Sequence, residues 1–447
     1  MGFGNRFYDL KQSYRGKKVA RELLDNSQYW SREQIEQFQF DSLHRVLAHC
    51  QKNVPYYREL FARIRFVPQR DFRSLSDLSK IPPLTKEKAR SVKRQLLSND
   101  IKSGFIIEKT SGSTGEPFAV SISHEQIIFE KATVWRHWGW AGYKFRTPLA
   151  IVRTYVPKKG EPLIKHDTIR NFRYYSAYHL NEGNAREYLT DMNKFGAKII
   201  RGYPSSVCIL ALHKLGAKID LPNVTAILTA SETLTEIQRS TIEKAFNARI
   251  FNWYGLAEQV VTANECETQK GMHLNQEYGF WELEKRDYLP ESQRMIIGTN
   301  FRNFAMPLLR YETGDIAIVA GDEHCPCGRT LPLIKGIAGR KDDIITTPEG
   351  SAIPSVNFYS LFREIPSVER FQIIQWERDN VEIRIKTRNL TGNDKEHILE
   401  EMRTRLGQSV KIKLTTNSEF ERNPEGKRRP VMSYVKVEEK HEASIAV

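Results

Sequence analysis

Thr110–Pro117 reads TSGSTGEP and follows the apolar, strand-like run SGFIIEK (103–109). Six of its eight residues are glycine, serine or threonine, a composition that packs no core but leaves the backbone open to approach. Consecutive N–H groups beside small side chains form an anion-binding nest, and hydroxyls add donors. The Walker loop uses that physics but needs Gly-Lys followed by Ser or Thr; here Glu116 follows Gly115. On its own such a run serves more often as a flexible connector than as a phosphate cradle. The rest of the chain has to decide.

At 447 residues the chain is too long for one core, so two or three domains are expected. The net charge of +14 favours an anionic partner. Lysine and arginine are spread along the whole length, apart from short runs such as GKRRP (426–430), so a solvated basic surface serving a polyanionic small substrate is the simpler reading. No apolar run is long enough to cross a bilayer. The first residues, MGFGNRFYDLKQSYRGKK, lack the apolar stretch of a signal peptide, and Arg6 stands where a myristoylation motif wants Ser or Thr. A soluble, cytoplasmic protein is expected. Five cysteines are too few for a disulfide framework; Cys50 and Cys208 fall in helix-like apolar segments and read as core.

Up to about residue 90 the pattern is helical. SREQIEQFQFDSLHRVLAHCQKN (31–53) opens with Ser31 and Gln34 at capping-box spacing. From about 101 to 318, short β-rich runs such as AKIIRGYP (197–204), VTAILTAS (224–231) and ARIFNWYG (248–255) alternate with amphipathic segments. That is the texture of α/β layers, whose chemistry gathers at strand ends. After GRKDDIITTPEG (339–350) the order becomes β-β-α-β-β: ERFQIIQWER, VEIRIKTR, a helix NDKEHILEEMRTRLG with Asn393 as N-cap and Gly407 as stop, VKIKLTT and SYVKVEE. The expected organisation is an α/β chain: a large N-terminal domain of layered sheets and helices over 1–341, including a helical region 1–90, and a small, mobile α+β domain over 342–447.

Four further motifs follow the loop in order: YGLAEQ (254–259), RYETGDIAIV (310–319), GRKDDII (339–345) and NPEGKRRP (423–430). Singly, Glu258 could open a helix, Asp315 could serve a turn and Lys427 could be a surface lysine. Together with NVPYYREL (53–60) and IPPLTKEKAR (81–90), the chain resembles the adenylate-forming enzymes, in particular the phenylacetate–CoA ligase branch and its CapK-like relatives. The resemblance covers nearly the whole chain.

It implies an ATP- and Mg2+-dependent ligase that converts a carboxylic acid to an acyl-adenylate, releasing pyrophosphate, and passes the acyl group to an acceptor. The expected acceptor is CoA; the alternative is an amine or hydroxyl of a sugar or other cell-envelope precursor. On the matching positions, Ser111, Gly112, Ser113, Thr114 and Gly115 wrap the β- and γ-phosphates. Glu258 helps hold Mg2+, which prefers oxygen ligands, and Tyr254 and Gly255 lie near the nucleotide. Asp315 accepts hydrogen bonds from the ribose hydroxyls, and Arg340 lies near ribose and phosphate. Lys86 is a further phosphate contact, while Ser231 and Glu232, in TASETL, flank the adenine. Lys427 bridges the substrate carboxylate and the α-phosphate, and Asp342 is the hinge that carries it away for the second half-reaction. One departure stands out: many relatives have Ser or Thr immediately before the metal-binding Glu, and here it is Ala257.

Cys266 and His273, with six residues between them, and Cys325 and Cys327 offer three thiolates and an imidazole, a closed set suited to structural zinc. His324 is a rival ligand, and free buried thiols are the plainer alternative. Tyr203 and Trp253, beside the strand ends, are candidate walls of an acyl pocket, though aromatic residues are more often core. A basic, zinc-containing nucleic-acid binder is the distant alternative; no basic helix or finger carries the spaced aromatic and arginine residues for stacking or base readout. A nucleic acid is therefore not an expected partner, no transmembrane segment is expected, and a homodimer stays open.

Overall fold

The computed structural model describes residues 14, 18–101, 104–109, 118–153, 155–158, 160–180, 182–217, 219, 221, 223–232, 234, 236–286, 291–321, 324–337, 344–349, 352–354, 358, 361–362, 365, 367–421 and 431–435. Helix α1 (Arg32–Asn53) begins at the expected capping box: Gln34 N–H donates to Ser31 Oγ at 3.3 Å and Ser31 N–H to Gln34 Oε1 at 2.9 Å. It buries Ile35, Leu43, Val46, Leu47 and Cys50, one helical stripe, against a core that includes Met306 and Leu308.

The antiparallel pair β1 (Phe105–Lys109) and β2 (Ala119–Ser123) has Lys109 opposite Ala119. Helix α2 (His124–Trp140) follows, with Ser123 Oγ accepting from Gln126 N–H.

A twelve-stranded sheet forms the body. Its parallel half contains β3 (Leu149–Arg153), β5 (Phe172–Ser176), β6 (Ile199–Gly202), β7 (Ala226–Ala230) and β8 (Arg249–Gly255), in the order β5-β3-β6-β7-β8, with β4 (Ile164–Asp167) antiparallel on the edge. Helices α3 (Glu182–Phe195), α4 (Pro204–Ala217) and α5 (Glu236–Phe246) are the crossovers that parallel neighbours require. Side chains alternate between faces, so Val152, Ile200, Ile227 and Ile250 pack with α3–α5 while Ile151, Ile199, Leu228 and Phe251 pack with Trp138 of α2. Both faces are covered, which is why these strands read as continuous apolar runs.

Beyond β8 the sheet turns antiparallel through β9 (Thr262–Glu265), β10 (Met272–Leu274), β11 (Gly279–Glu284), β12 (Gln293–Asn300), β13 (Tyr311–Val319) and β14 (Leu333–Ile337), in the order β8-β9-β10-β14-β13-β12-β11.

The C-terminal part opens with the pair β15 (Ile344–Thr346) and β16 (Ala352–Pro354). A separate four-stranded sheet, β19-β18-β17-β20, is built from β17 (Val368–Glu377), β18 (Asn380–Thr387), β19 (Lys411–Thr416) and β20 (Val431–Ser433). Helix α6 (Gly392–Leu406) lays Ile398, Met402 and Leu406 on its own core with Phe371, Ile373 and Ile383. The α6 N-cap corrects the sequence expectation: it is Thr391, not Asn393. Thr391 Oγ1 accepts from Asp394 N–H, and Asp394 Oδ2 accepts from Thr391 N–H, both at 3.1 Å. This reciprocal pair starts the helix two residues earlier and leaves Asn393 inside the first turn. Gly407 ends the helix at φ +99°, as expected. No described helix is long and apolar enough to cross a membrane.

Candidate active site

The parallel strands deliver their carboxyl ends to one place. A cavity of about 240 Å³ lies there between the sheet and α2, with Arg153 from β3, Arg201 from β6, Ser231 after β7 and Trp253 and Gly255 from β8 on its wall. Register explains the grouping: Ile151 pairs with Arg201, Arg201 with Leu228, Ala230 with Trp253, so Arg153, Arg201 and Trp253 point from the same face. Helix α2 closes that face with Glu130, Val134, His137 and Trp138. The His137 ring lies 5.5 Å from that of Trp253, and burial holds it down at about 3, hence neutral. Burial pushes Glu130 up to about 7.

Of the two expected pocket aromatics, Trp253 lines the cavity. Tyr203 does not: it is wholly buried just beyond β6, beneath the Arg153 guanidinium at 5.2 Å. Gly255 has a steric reason, since a Cβ there would meet Trp253 Nε1 at 2.6 Å. Ser231 adopts φ +74°, uncommon for a residue with a side chain, and its Oγ accepts from Arg153 Nη2 at 2.6 Å. Glu232 reaches the start of α4, where Oε2 accepts from Ser205 N–H at 3.1 Å; a carboxylate suits that helix end.

The same β8–turn segment carries a second cluster. Glu258 is buried, and Tyr311 OH donates to its Oε1 at 2.7 Å, with Lys86 Nζ at 3.5 Å from the same oxygen. Backbone pairing puts Lys86 there: Leu84 N–H donates to Arg310 O at 2.9 Å, Glu312 N–H to Leu84 O at 3.0 Å, and Thr85 then caps the helix Lys86–Ser91. Arg310 locks the approach by a paired ion contact with Glu282 and a hydrogen bond to Ile81 O at 2.7 Å. Tyr254 OH donates to Asp315 Oδ2 at 3.0 Å, so Asp315 on β13 faces the YGLAEQ segment. Lys86, Tyr254, Gly255, Glu258 and Asp315, scattered in the chain, are gathered around one turn. Sequence reading missed Tyr311, although RYETGD contains it. Arg153, Arg201, Glu130 and His137 carried no motif.

Cys266, His273, Cys325 and Cys327 also converge, with their ligand atoms within 4.8 Å of one another, without His324. The two sulfurs of Cys266 and Cys325 are 3.6 Å apart, and Cys327 Sγ is 3.4 Å from His273 Nε2. His273 Nδ1 faces Leu331 O at 3.0 Å, which fixes the tautomer and leaves Nε2 toward the sulfurs. Tetrahedral zinc with Zn–S bonds of about 2.3 Å sets its sulfurs about 3.8 Å apart, so the donor set and spacing fit that ion. Thr268 Oγ1 lies 3.1 Å and 3.0 Å from the Cys266 and Cys325 sulfurs.

Ser111, Gly112, Ser113, Thr114, Gly115, Arg340, Asp342 and Lys427 lie outside the described residues.

Residues 345–434 match the CapK C-terminal domain family. Over 400 residues the chain is 24% identical to protein CapK of Staphylococcus aureus, covering 87% of each. It is 27% identical over 331 residues to a phenylacetate-coenzyme A ligase of Thermus thermophilus, covering 70% of this chain and 72% of that one. Among solved structures it superposes on 2-hydroxyisobutyryl-CoA ligase in complex with 2-HIB-AMP and CoA in the thioesterification state, with TM-score 0.56, 18% identity and 91% and 93% coverage. The α/β body with its smaller C-terminal unit is the fold of the adenylate-forming ligases, and the chain is an enzyme of that class. Within the superfamily its similarity runs to CapK and the phenylacetate–CoA ligases.

Proposed function

We propose that the protein uses ATP with Mg2+ to activate a carboxylic acid and then transfers the acyl group to the thiol of CoA. A carboxylate oxygen bonds to the α-phosphorus as the bond to the β-phosphate oxygen breaks, giving acyl-adenylate and pyrophosphate; the acceptor then displaces AMP. The observation that carries this reading is the Glu258 carboxylate held by Tyr311 and Lys86 beside Tyr254 and Asp315. One buried acid between a cation and a hydroxyl, next to a small cavity, suits a metal and polyphosphate on one side and an acid on the other.

In this reading Glu258 contributes to the Mg2+ site, which shields the phosphate charge during attack. Lys86 contacts phosphate, Asp315 the ribose, Ser231 and Glu232 the adenine edge, and Trp253 the acid. Ser111–Gly115, Arg340 and Lys427 keep the roles that their motifs imply. The division at 341/342, with Asp342 as hinge, belongs to the same proposal, as does structural zinc on Cys266, His273, Cys325 and Cys327.

Acid-dependent exchange of labelled pyrophosphate into ATP, with no acceptor present, tests the first half-reaction. Wild-type protein should exchange with one class of acid, and Glu258→Gln should lose on the order of a hundredfold or more while still folding. Folded protein that binds ATP but exchanges with no acid across aryl, fatty, hydroxy, amino and dicarboxylic acids would remove the proposal.

A further inference from the structure

The wall of the small cavity is cationic where a pocket for a neutral aryl or alkyl tail would be apolar. Arg153 donates to the Ser231 hydroxyl and lies over the Tyr203 ring, and Arg201 lies 5.0 Å from the Trp138 ring. Neither has a carboxylate partner among the described residues. They come from adjacent strands on one face, close enough that Arg153 disfavours the charge on Arg201, after burial, which disfavours it most. Three polar atoms on the same wall, Arg153 Nε, His137 Nε2 and Glu130 Oε2, are buried without a hydrogen-bond partner. Buried polar atoms are nearly always paired, so a wall holding several marks a place for a polar guest.

Two guanidiniums side by side without an acid are costly unless something negative joins them, and their planar forks match a carboxylate bidentately. Glu130, the acid on this wall, does not balance them, because burial favours its neutral form. In that form it can donate to an anion or a hydroxyl. An adjoining cavity of about 450 Å³ shares Glu130, Trp138, Arg153 and Arg201, and adds Trp135, Phe145 and Tyr174. The guest therefore has flat apolar walls beyond its charged grip.

We propose that the acid taken by this site carries a second anionic group, which Arg153 and Arg201 hold while the reacting carboxylate faces the turn at Ala257 and Glu258. The substrate class is a dicarboxylic or comparably dianionic acid, and the second group is bound and not chemically changed. This rests on the reading of the cavity as the acid site.

Calorimetric titration of the full chain, saturated with a non-hydrolysable ATP analogue, tests it with matched pairs: glutarate against pentanoate, and isophthalate against benzoate. The dianion of at least one pair should bind about tenfold or more tighter than its monoanion. Arg201→Gln and Arg153→Gln should abolish that preference without changing affinity for the ATP analogue, and Arg201→Lys should restore part of it. Equal binding within both pairs, no binding by either dianion, or a preference that survives both substitutions overturns the proposal. Loss of ATP-analogue affinity in place of acid discrimination also overturns it, by assigning the arginines to the nucleotide. Exchange of pyrophosphate with mono- and dianions alike would defeat this inference and leave adenylation standing. Dianion binding without any exchange would do the reverse.

Discussion

Glu130 illustrates what one side chain can store. It lies on α2 at the cavity wall, and burial, partly offset by a hydrogen bond with Tyr278, lifts its carboxyl to about 7. In the unfolded chain the group titrates near an ordinary glutamate value, about 4.3. Between those values the folded protein holds more protons than the unfolded one, so stability falls as pH rises from about 4 to about 7 and is level above. The accumulated cost is about 4 kcal/mol at one pKa unit per about 1.4 kcal/mol. Glu130→Gln should therefore stabilise the protein by up to about 4 kcal/mol at pH 8 and far less at pH 4.5, measured by urea unfolding at both. An equal gain at the two pH values would show that the carboxyl is not held neutral. A destabilising acid kept at a ligand cavity is the pattern of a residue retained for function. In the sequence it was invisible, because a lone Glu in the amphipathic run HEQIIFEKATVWRHWGW looks like any solvated helix face.

At the scale of elements, much was legible because local rules and tertiary packing agree. The Ser31–Gln34 box and the strands in AKIIRGYP, VTAILTAS and ARIFNWYG stand where their patterns put them. The β-β-α-β-β order holds, but its last strand is Val431–Ser433, which ends where the expected SYVKVEE begins. The miss at α6 has a local cause, since TGND offers two capping residues, each with an acid three residues on (Asp394 and Glu396), and the reciprocal pair that forms is Thr391 with Asp394. Strand β8 shows what an element adds beyond its pattern. Its end crosses from parallel to antiparallel pairing, and Trp253 folds back over Gly255 so that the indole faces the cavity. Gly255→Ala puts a methyl 2.6 Å from Trp253 Nε1, closer than any real contact, and the indole must swing away. The expected result is a stability loss of about 1–3 kcal/mol and a larger rise in KM for the acid than for ATP in the exchange assay. Unchanged acid KM, with unchanged tryptophan fluorescence, would mean that the indole does not shape the acid site.

Across the whole molecule, the site is assembled from segments far apart in the chain, and sequence order conveys little of that. Lys86 meets Glu258 because Leu84 joins the edge of Tyr311, a non-local pairing that no periodicity reports. Tyr254 was legible in its motif, but Tyr311, which holds Glu258, could be named only after β8 and β13 were placed. The Cys/His cluster is the converse case: ligand chemistry alone grouped four residues that the fold does bring together. Its place makes a stability prediction. Cys266 follows β9, His273 lies on β10, and Cys325 and Cys327 sit between β13 and β14, so one ion would staple three parts of the sheet. The cluster also reaches α2, where Trp140 meets the His273 ring edge-on at 5.7 Å and carries Arg329 at 4.1 Å. Trp140 Nε1 and Arg329 Nε both donate to Gln28 Oε1, tying in the N-terminal segment. Chelation, or Cys325→Ser, should release zinc measured by elemental analysis and lower the melting temperature on the order of 5 °C or more. The ATP-analogue affinity of protein that remains folded should change little. Protein that contains no zinc yet melts at the same temperature as its Cys325→Ser variant would reduce the cluster to four packed side chains.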